Sequence, residues 1–175
     1  MKNILVVVDY QNDFVNGSLG FAAAAALENR IYQKIQYYQQ NGDEVVFTLD
    51  THQSNYLQTQ EGKKLPVPHC IKTTPGWSLY GKIADLCQQT TQCFEKTSFG
   101  SLELAAYLAQ NAYDRVELIG VVSNICVIAN AVLAKAALPE ADIIVDASCT
   151  ASNDDSLNQK SLDVMAGMQI DIINR

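Results

Sequence analysis

Charged side chains make up only 18% of the 175 residues, and there is one tryptophan, with two histidines and four prolines. So little charge argues against a disordered chain, and a hydrophobic content of 48% can fill a sizeable core at this length. No apolar run approaches the roughly 20 residues a membrane span needs. The run in "MKNILVVVDY" is too short for a signal peptide and stops at an aspartate. Basic residues are also scarce, 12 Lys and Arg against 19 Asp and Glu, so the net charge of −7 disfavours nucleic acid or an anionic membrane as partner. The five cysteines (Cys70, Cys87, Cys93, Cys126, Cys149) are odd in number and lack C-x-x-C spacing, which fits reduced thiols and excludes a disulfide framework. These absences predict a cytoplasmic protein with a single domain over residues 1–175.

What is present is an alternation. Apolar, β-branched runs at 3–9, 44–50, 91–96, 115–122, 141–148 and 169–174 read as strands. Between them, 23–42, 78–89, 101–111, 125–138 and 155–168 read as helices, with Gly42 closing the first and Ser101 capping the third. Ala22–Ala26 reads as a helix start packed closely on the sheet. Strands apolar on both faces and separated by helices predict a three-layer α/β/α, Rossmann-like fold around a six-stranded parallel sheet. The stretch 51–75 has no clear periodicity, and a loop of that length is usually functional or disordered.

Ligands of such sheets bind beyond the carboxyl ends of the strands. There the sequence places Asp9, Asp50, Lys96 and, just after strand four, Cys126. In "VVSNICVIANA" (121–131) the turn from strand to helix puts Cys126 near a helix N-terminus with Ser123 or Asn124 as cap, where a thiolate is stabilised. Lys96 would deepen that effect, and Asp9 would accept the thiol proton and return it to a leaving group. The backbone N–H groups of Val122 and Cys126 would hold an oxyanion. Both histidines, His52 and His69, lie in the 51–75 stretch, and Asp50 with His52 forms a D-x-H pair. One carboxylate and two imidazoles can bind a metal ion and leave positions open. A non-haem iron oxygenase is a poor match, because those sites usually place the carboxylate after the first histidine.

The segments "DYQNDF" (9–14), "FEKTSFGS" (94–101) and "GVVSNICV" (120–127) resemble the signatures of the isochorismatase-like cysteine hydrolases, in the same order and over nearly the whole chain. The resemblance implies a catalytic triad of Asp9, Lys96 and Cys126, and a cis peptide between Val121 and Val122. The D-x-H pair with "HC" (69–70) and "TPG" (74–76) resembles the nicotinamidase branch. That implies one divalent ion (zinc, iron or manganese) on Asp50, His52 and His69, a small-molecule amide substrate and a thioester intermediate. Phe14, Phe99 and Trp77 are the available ring-stacking partners. Two places where the branch commonly has aromatics read Thr51 and Pro66, and Ser54, Asn55 or Gln58 are the loop's candidates for a further ligand. Another small amide, or a vinyl ether, is the alternative substrate, and a non-catalytic binding domain the alternative class. Family members often form homo-oligomers.

Overall fold

The computed structural model describes residues 1–87 and 91–175. Six strands, β1 (Asn3–Val8), β2 (Glu44–Asp50), β3 (Cys93–Lys96), β4 (Arg115–Val121), β5 (Asp142–Ala151) and β6 (Asp171–Ile173), form one sheet in the order β3-β2-β1-β4-β5-β6. Every adjacent pair is parallel. Eight helices accompany them among the described residues: α1 (Asn12–Val15), α2 (Ala22–Ala26), α3 (Glu28–Gln40), α4 (Gln60–Lys64), α5 (Gly81–Leu86), α6 (Leu102–Asn111), α7 (Ile128–Ala137) and α8 (Asp155–Gly167). None is long and apolar enough to cross a membrane.

The period-two geometry of a strand divides the core. Ile4, Val6 and Val8 of β1 face one side, where α6, α7 and α8 supply Leu104, Leu108, Ala131, Ala134, Leu162 and Met165. Leu5 and Val7 face the other, covered by Phe14, Ala24, Ile31, Ile35 and Ile83 from α1, α2, α3 and α5. Both faces are thus apolar and covered, as the buried runs predicted. The order reverses between β1 and β4, which opens a crevice at their carboxyl ends.

Several boundaries differ from the sequence reading. The single helix expected over 23–42 divides at Leu27, and its second part ends at Gln40, two residues before Gly42 adopts φ +75°. Of the five alanines of α2 only Ala24 is buried, so the run meets the core of that face through this residue. α5 covers Gly81–Leu86, and the expected end of that helix at 88–89 lies outside the described residues. β5 runs on to Ala151 because a bulge shifts its register against β4 between Leu118 and Gly120. Gly120 has φ +107°, and a Cβ there would collide with the Val8 carbonyl oxygen, so only glycine fits this approach of β4 to β1.

Away from the crevice, Lys34 of α3 reaches Glu117 Oε1 at 2.7 Å and Asp146 Oδ2 at 2.8 Å. Both carboxylates are buried. Burial pushes the Asp146 pKa up, but hydrogen bonds from Lys34 and Ser148 outweigh it and hold the group below the usual carboxylate range. The unfolded chain therefore takes up this proton first as pH falls. The stability Asp146 contributes is complete above its unfolded pKa of about 3.9 and is lost below it. Thermal unfolding followed from pH 7 to pH 3 is expected to show this acid loss shrink in Asp146→Asn; an unchanged acid limb would contradict it.

Candidate active site

The carboxyl edge of the sheet builds one continuous polar cluster. Asp9 follows β1 with φ +45°, and Thr48 of β2 donates its hydroxyl to Asp9 Oδ1 at 2.6 Å. Lys96 ends β3, in register with Asp50 at the end of β2. Its Nζ lies 2.6 Å from Asp9 Oδ2, 3.3 Å from Asp50 Oδ1 and 3.6 Å from Cys126 Sγ, and it donates to the Ser98 carbonyl at 3.0 Å. All four side chains are buried.

Cys126 sits in a single wide turn, Ser123–Val127, in which the Val127 N–H reaches back five residues to the Val122 carbonyl; α7 follows from Ile128. Val122 opens this turn, so neither Ser123 nor Asn124 is the cap expected from sequence: the Ser123 hydroxyl is buried without a hydrogen-bond partner. The peptide between Val121 and Val122 is cis. Asn130, one α-helical turn on, donates to the Cys126 carbonyl at 2.8 Å and to the Phe99 carbonyl at 3.1 Å, and so ties the turn that carries Cys126 to the loop after β3.

The charges here correct the expected resting thiolate. Burial, and next the charge of Asp9, push the Cys126 thiol well above its ordinary pKa, against the pull of Lys96. Burial also raises Asp9, and Lys96 only partly offsets it. Burial disfavours the charged form of Lys96 as well, but Asp9, Cys126 and Asp50 together keep it firmly protonated. The site thus holds a neutral thiol beside a carboxylate whose proton affinity is raised toward that of sulfur.

Asp50 belongs to two groups at once. Its Oδ1 faces Lys96, while its Oδ2 lies 2.9 Å from His52 Nε2 and 3.3 Å from His69 Nε2. The pairing of His52 with Ile71 as an isolated parallel bridge brings the two histidines together, with the His52 N–H on the Cys70 carbonyl at 3.0 Å. His69 Nδ1 donates to the Val67 carbonyl at 2.8 Å, which fixes a proton on that nitrogen and aims Nε2 at Asp50. Burial alone would raise Asp50, but the two histidines and Lys96 hold it below the carboxylate range. Burial lowers His69, yet Asp50 and Glu61 overcome this and push it up to about 10.

The donor set fits a divalent cation. Ligand atoms of Asp50, His52 and His69 all lie within 4.8 Å of one another, and His52 Nε2 is buried with no well-formed hydrogen bond. A candidate fourth donor stands beside them, on a residue the sequence reading did not name. Glu61 Oε1, from the first turn of α4, lies 3.6 Å from His52 Nε2 and 3.5 Å from His69 Nε2. Ser54, Asn55 and Gln58 were the loop's candidates for a further ligand; Asn55 and Gln58 belong to the turn before α4, with the Gln58 N–H on the Asn55 carbonyl at 2.9 Å. The 3-10 turn Tyr56–Gln58 and the Thr59 side chain, which accepts the Gly62 N–H, fold α4 back over the histidines, and Tyr56 packs on both rings. Glu61→Gln is expected to weaken zinc binding about 10–100-fold, read by competition with a chromogenic chelator. Unchanged affinity would remove Glu61 from the ligand set.

A cavity of about 220 Å³ joins the two groups and is lined by residues that include Phe14, Asp50, His69, Phe99 and Cys126. It lies below the roughly 300–1,000 Å³ of drug-sized sites, which suits a single-ring ligand. Phe14 tilts over the His69 ring at 5.5 Å, and Phe99, 45% exposed, stands at the mouth. Trp77, the third aromatic expected there, does not line the cavity. Its Nε1 donates to Thr51 Oγ1 at 2.9 Å, which supports the backbone beside Asp50. Gln11 also holds Asp50, accepting its N–H at 2.8 Å and donating to its carbonyl at 2.9 Å. Gln11→Leu leaves both groups buried and unpaired, and is expected to destabilise the protein by about 2 kcal/mol in urea unfolding; a loss below the error of that measurement would contradict this role.

Fold and site together define a hydrolase of the α/β class with a buried Asp–Lys–Cys group beside a metal pocket. The profile of the Isochorismatase domain matches residues 3–175, and the chain belongs to that family. It is 34% identical over 143 residues to an uncharacterised isochorismatase-family protein, PncA, of Bacillus subtilis, covering 75% of this chain and 78% of that protein. It is 25% identical over 216 residues to the nicotinamidase of Saccharomyces cerevisiae, covering 98% and 99%. The solved structure of a pyrazinamidase/nicotinamidase from Streptococcus mutans superposes with a TM-score of 0.88 at 30% identity, covering 98% of this chain and all of that one.

Proposed function

We propose that the protein is a nicotinamidase, converting nicotinamide and water to nicotinic acid and ammonia through a thioester on Cys126. The observation that carries this reading is Asp50, which faces Lys96 of the thiol group with one oxygen and both histidines with the other. A ring fixed at the histidines thereby presents its carboxamide to the sulfur across a cavity that both groups line. Asp50, His52, His69 and Glu61 would hold a divalent ion (zinc, iron or manganese), which supplies a Lewis-acid site for a ring nitrogen.

The residues of the chain then divide the work. As the Cys126 sulfur attacks the carboxamide carbon, Asp9 takes the thiol proton, and Lys96 balances the negative charge as it passes from carboxylate to sulfur. The backbone N–H groups of Val122 and Cys126 hold the oxyanion. Asp9 gives its proton to the departing nitrogen, the C–N bond breaks, and ammonia leaves a thioester. Water delivered against that thioester loses a proton to Asp9, the acid is released, and the proton returns to sulfur. Phe14 and Phe99 flank the ring. A cytoplasmic setting, which keeps thiols reduced at rest, suits the five free cysteines.

Ammonia release from nicotinamide by zinc-loaded protein, with and without chelator and in His52→Ala, tests this reading. Chelator and substitution are each expected to lower the rate about 100-fold or more. Folded, zinc-loaded protein that releases ammonia from other amides but not from nicotinamide would overturn the substrate. A rate indifferent to chelator would overturn the ion.

A further inference from the structure

Four cysteines take no part in this chemistry. Cys70 and Cys149 are buried, and burial raises both thiols, Cys149 to about 11. Cys87 and Cys93 are different. Cys87 follows the last residue of α5, Cys93 is the first residue of edge strand β3, and both are half-buried. Their Sγ atoms lie 3.4 Å apart, in van der Waals contact, although neither the fold nor the proposed reaction requires two thiols to meet there.

We propose that Cys87 and Cys93 form a redox-active dithiol, oxidised by a peroxide to an intramolecular disulfide that a thiol reductant reopens. The pair is built for unequal roles. The contact between the two sulfurs, opposed by burial, lowers the Cys87 thiol, while the same contact and burial raise Cys93. The proposal gives the attack to Cys87, which follows the end of α5, and resolution to Cys93 on β3. The Cys87 sulfur attacks one peroxide oxygen and the O–O bond breaks. A sulfenic acid forms on Cys87, and the leaving hydroxide takes up a proton to become water. The Cys93 sulfur then attacks the sulfenic sulfur. The S–S bond forms, the S–O bond breaks, and the hydroxyl leaves with the Cys93 proton as a second water. Two thiols and one peroxide give one disulfide and two waters, the sulfurs oxidised and the peroxide oxygens reduced.

Cys126 is the contrasting case in the same protein, 4% exposed and with its thiol proton held more tightly than usual. Peroxide therefore meets the half-buried pair first, and the nucleophile remains a thiol. The bond would join the end of α5 to β3, the short strand that carries Lys96 three residues further on.

The test treats reduced, full-length protein with one equivalent of hydrogen peroxide, alkylates it under denaturing conditions and maps the peptides before and after dithiothreitol. The expected product is a Cys87–Cys93 link that disappears on reduction, with Cys126 alkylated throughout. In Cys87→Ser the link is lost and Cys93 alkylates fully. Cys87 and Cys93 both alkylated after peroxide, oxidation of Cys126 first, or a link between two molecules would each overturn the proposal. Should the variant not fold, the wild-type map decides alone, and it is independent of amidase activity.

Discussion

Cys126→Ala is expected to fold and to lose activity by about 10⁴–10⁶-fold, because no other side chain in the cavity can replace its sulfur. Asp9 and Lys96 would remain paired at 2.6 Å, so the polar cluster survives and the stability cost is only about 1 kcal/mol. Cys126→Ser should fare little better. The serine hydroxyl holds its proton far more tightly than a thiol, and Asp9, even with its affinity raised by burial, cannot draw it off as readily. Circular dichroism and urea unfolding report the fold, and ammonia release reports the chemistry. Substantial turnover in a folded Cys126→Ala protein would assign the attack to water and end the thioester mechanism.

Lys96→Met should damage both stability and rate. Its ammonium is the one cation within 4 Å of Asp9 Oδ2, Asp50 Oδ1 and Cys126 Sγ among the described residues. Methionine matches its volume, so packing is kept and the loss is electrostatic. Removing one partner from a buried charged group costs about 3–5 kcal/mol, and here two carboxylates lose the same cation. Asp9, already raised by burial and by Asp50, then holds a proton at neutral pH and can no longer accept one from sulfur. A rate loss of about 10²–10⁴-fold follows from losing that acid–base step. Urea unfolding and ammonia release on one preparation separate the two effects. A folded variant with wild-type stability would contradict the central electrostatic role given to Lys96.

The sequence discloses the parts of the site that the strand pattern carries. Asp9, Asp50 and Lys96 follow or end apolar runs, and a parallel sheet gathers such ends at one edge, so their meeting could be read from the order of the runs. Cys126 was readable for the same reason, because β4 ends at Val121 and the chain turns just before it. His52 and His69 were legible by their rarity. Glu61 was not, since its approach depends on the fold of 56–64, where Tyr56 and Thr59 set the direction of α4 and no periodicity announces it. Trp77 was misread because aromatic type alone says nothing of direction, and its indole N–H found the Thr51 hydroxyl instead. The cap of the nucleophile turn was misplaced because a five-residue back-bond to Val122 replaces a side-chain cap. The state of the thiol was missed for a third reason: a helix end and a lysine both lower a thiol pKa, but burial and Asp9 raise it more.

The most direct measurement is to quench zinc-loaded protein during turnover of nicotinamide and find the acyl group by peptide mass spectrometry. The mechanism predicts a nicotinoyl adduct on the peptide containing Cys126, absent from Cys126→Ala and released by hydroxylamine. Ammonia formed at the wild-type rate with no adduct at any quench time, or an adduct on another residue, would contradict it.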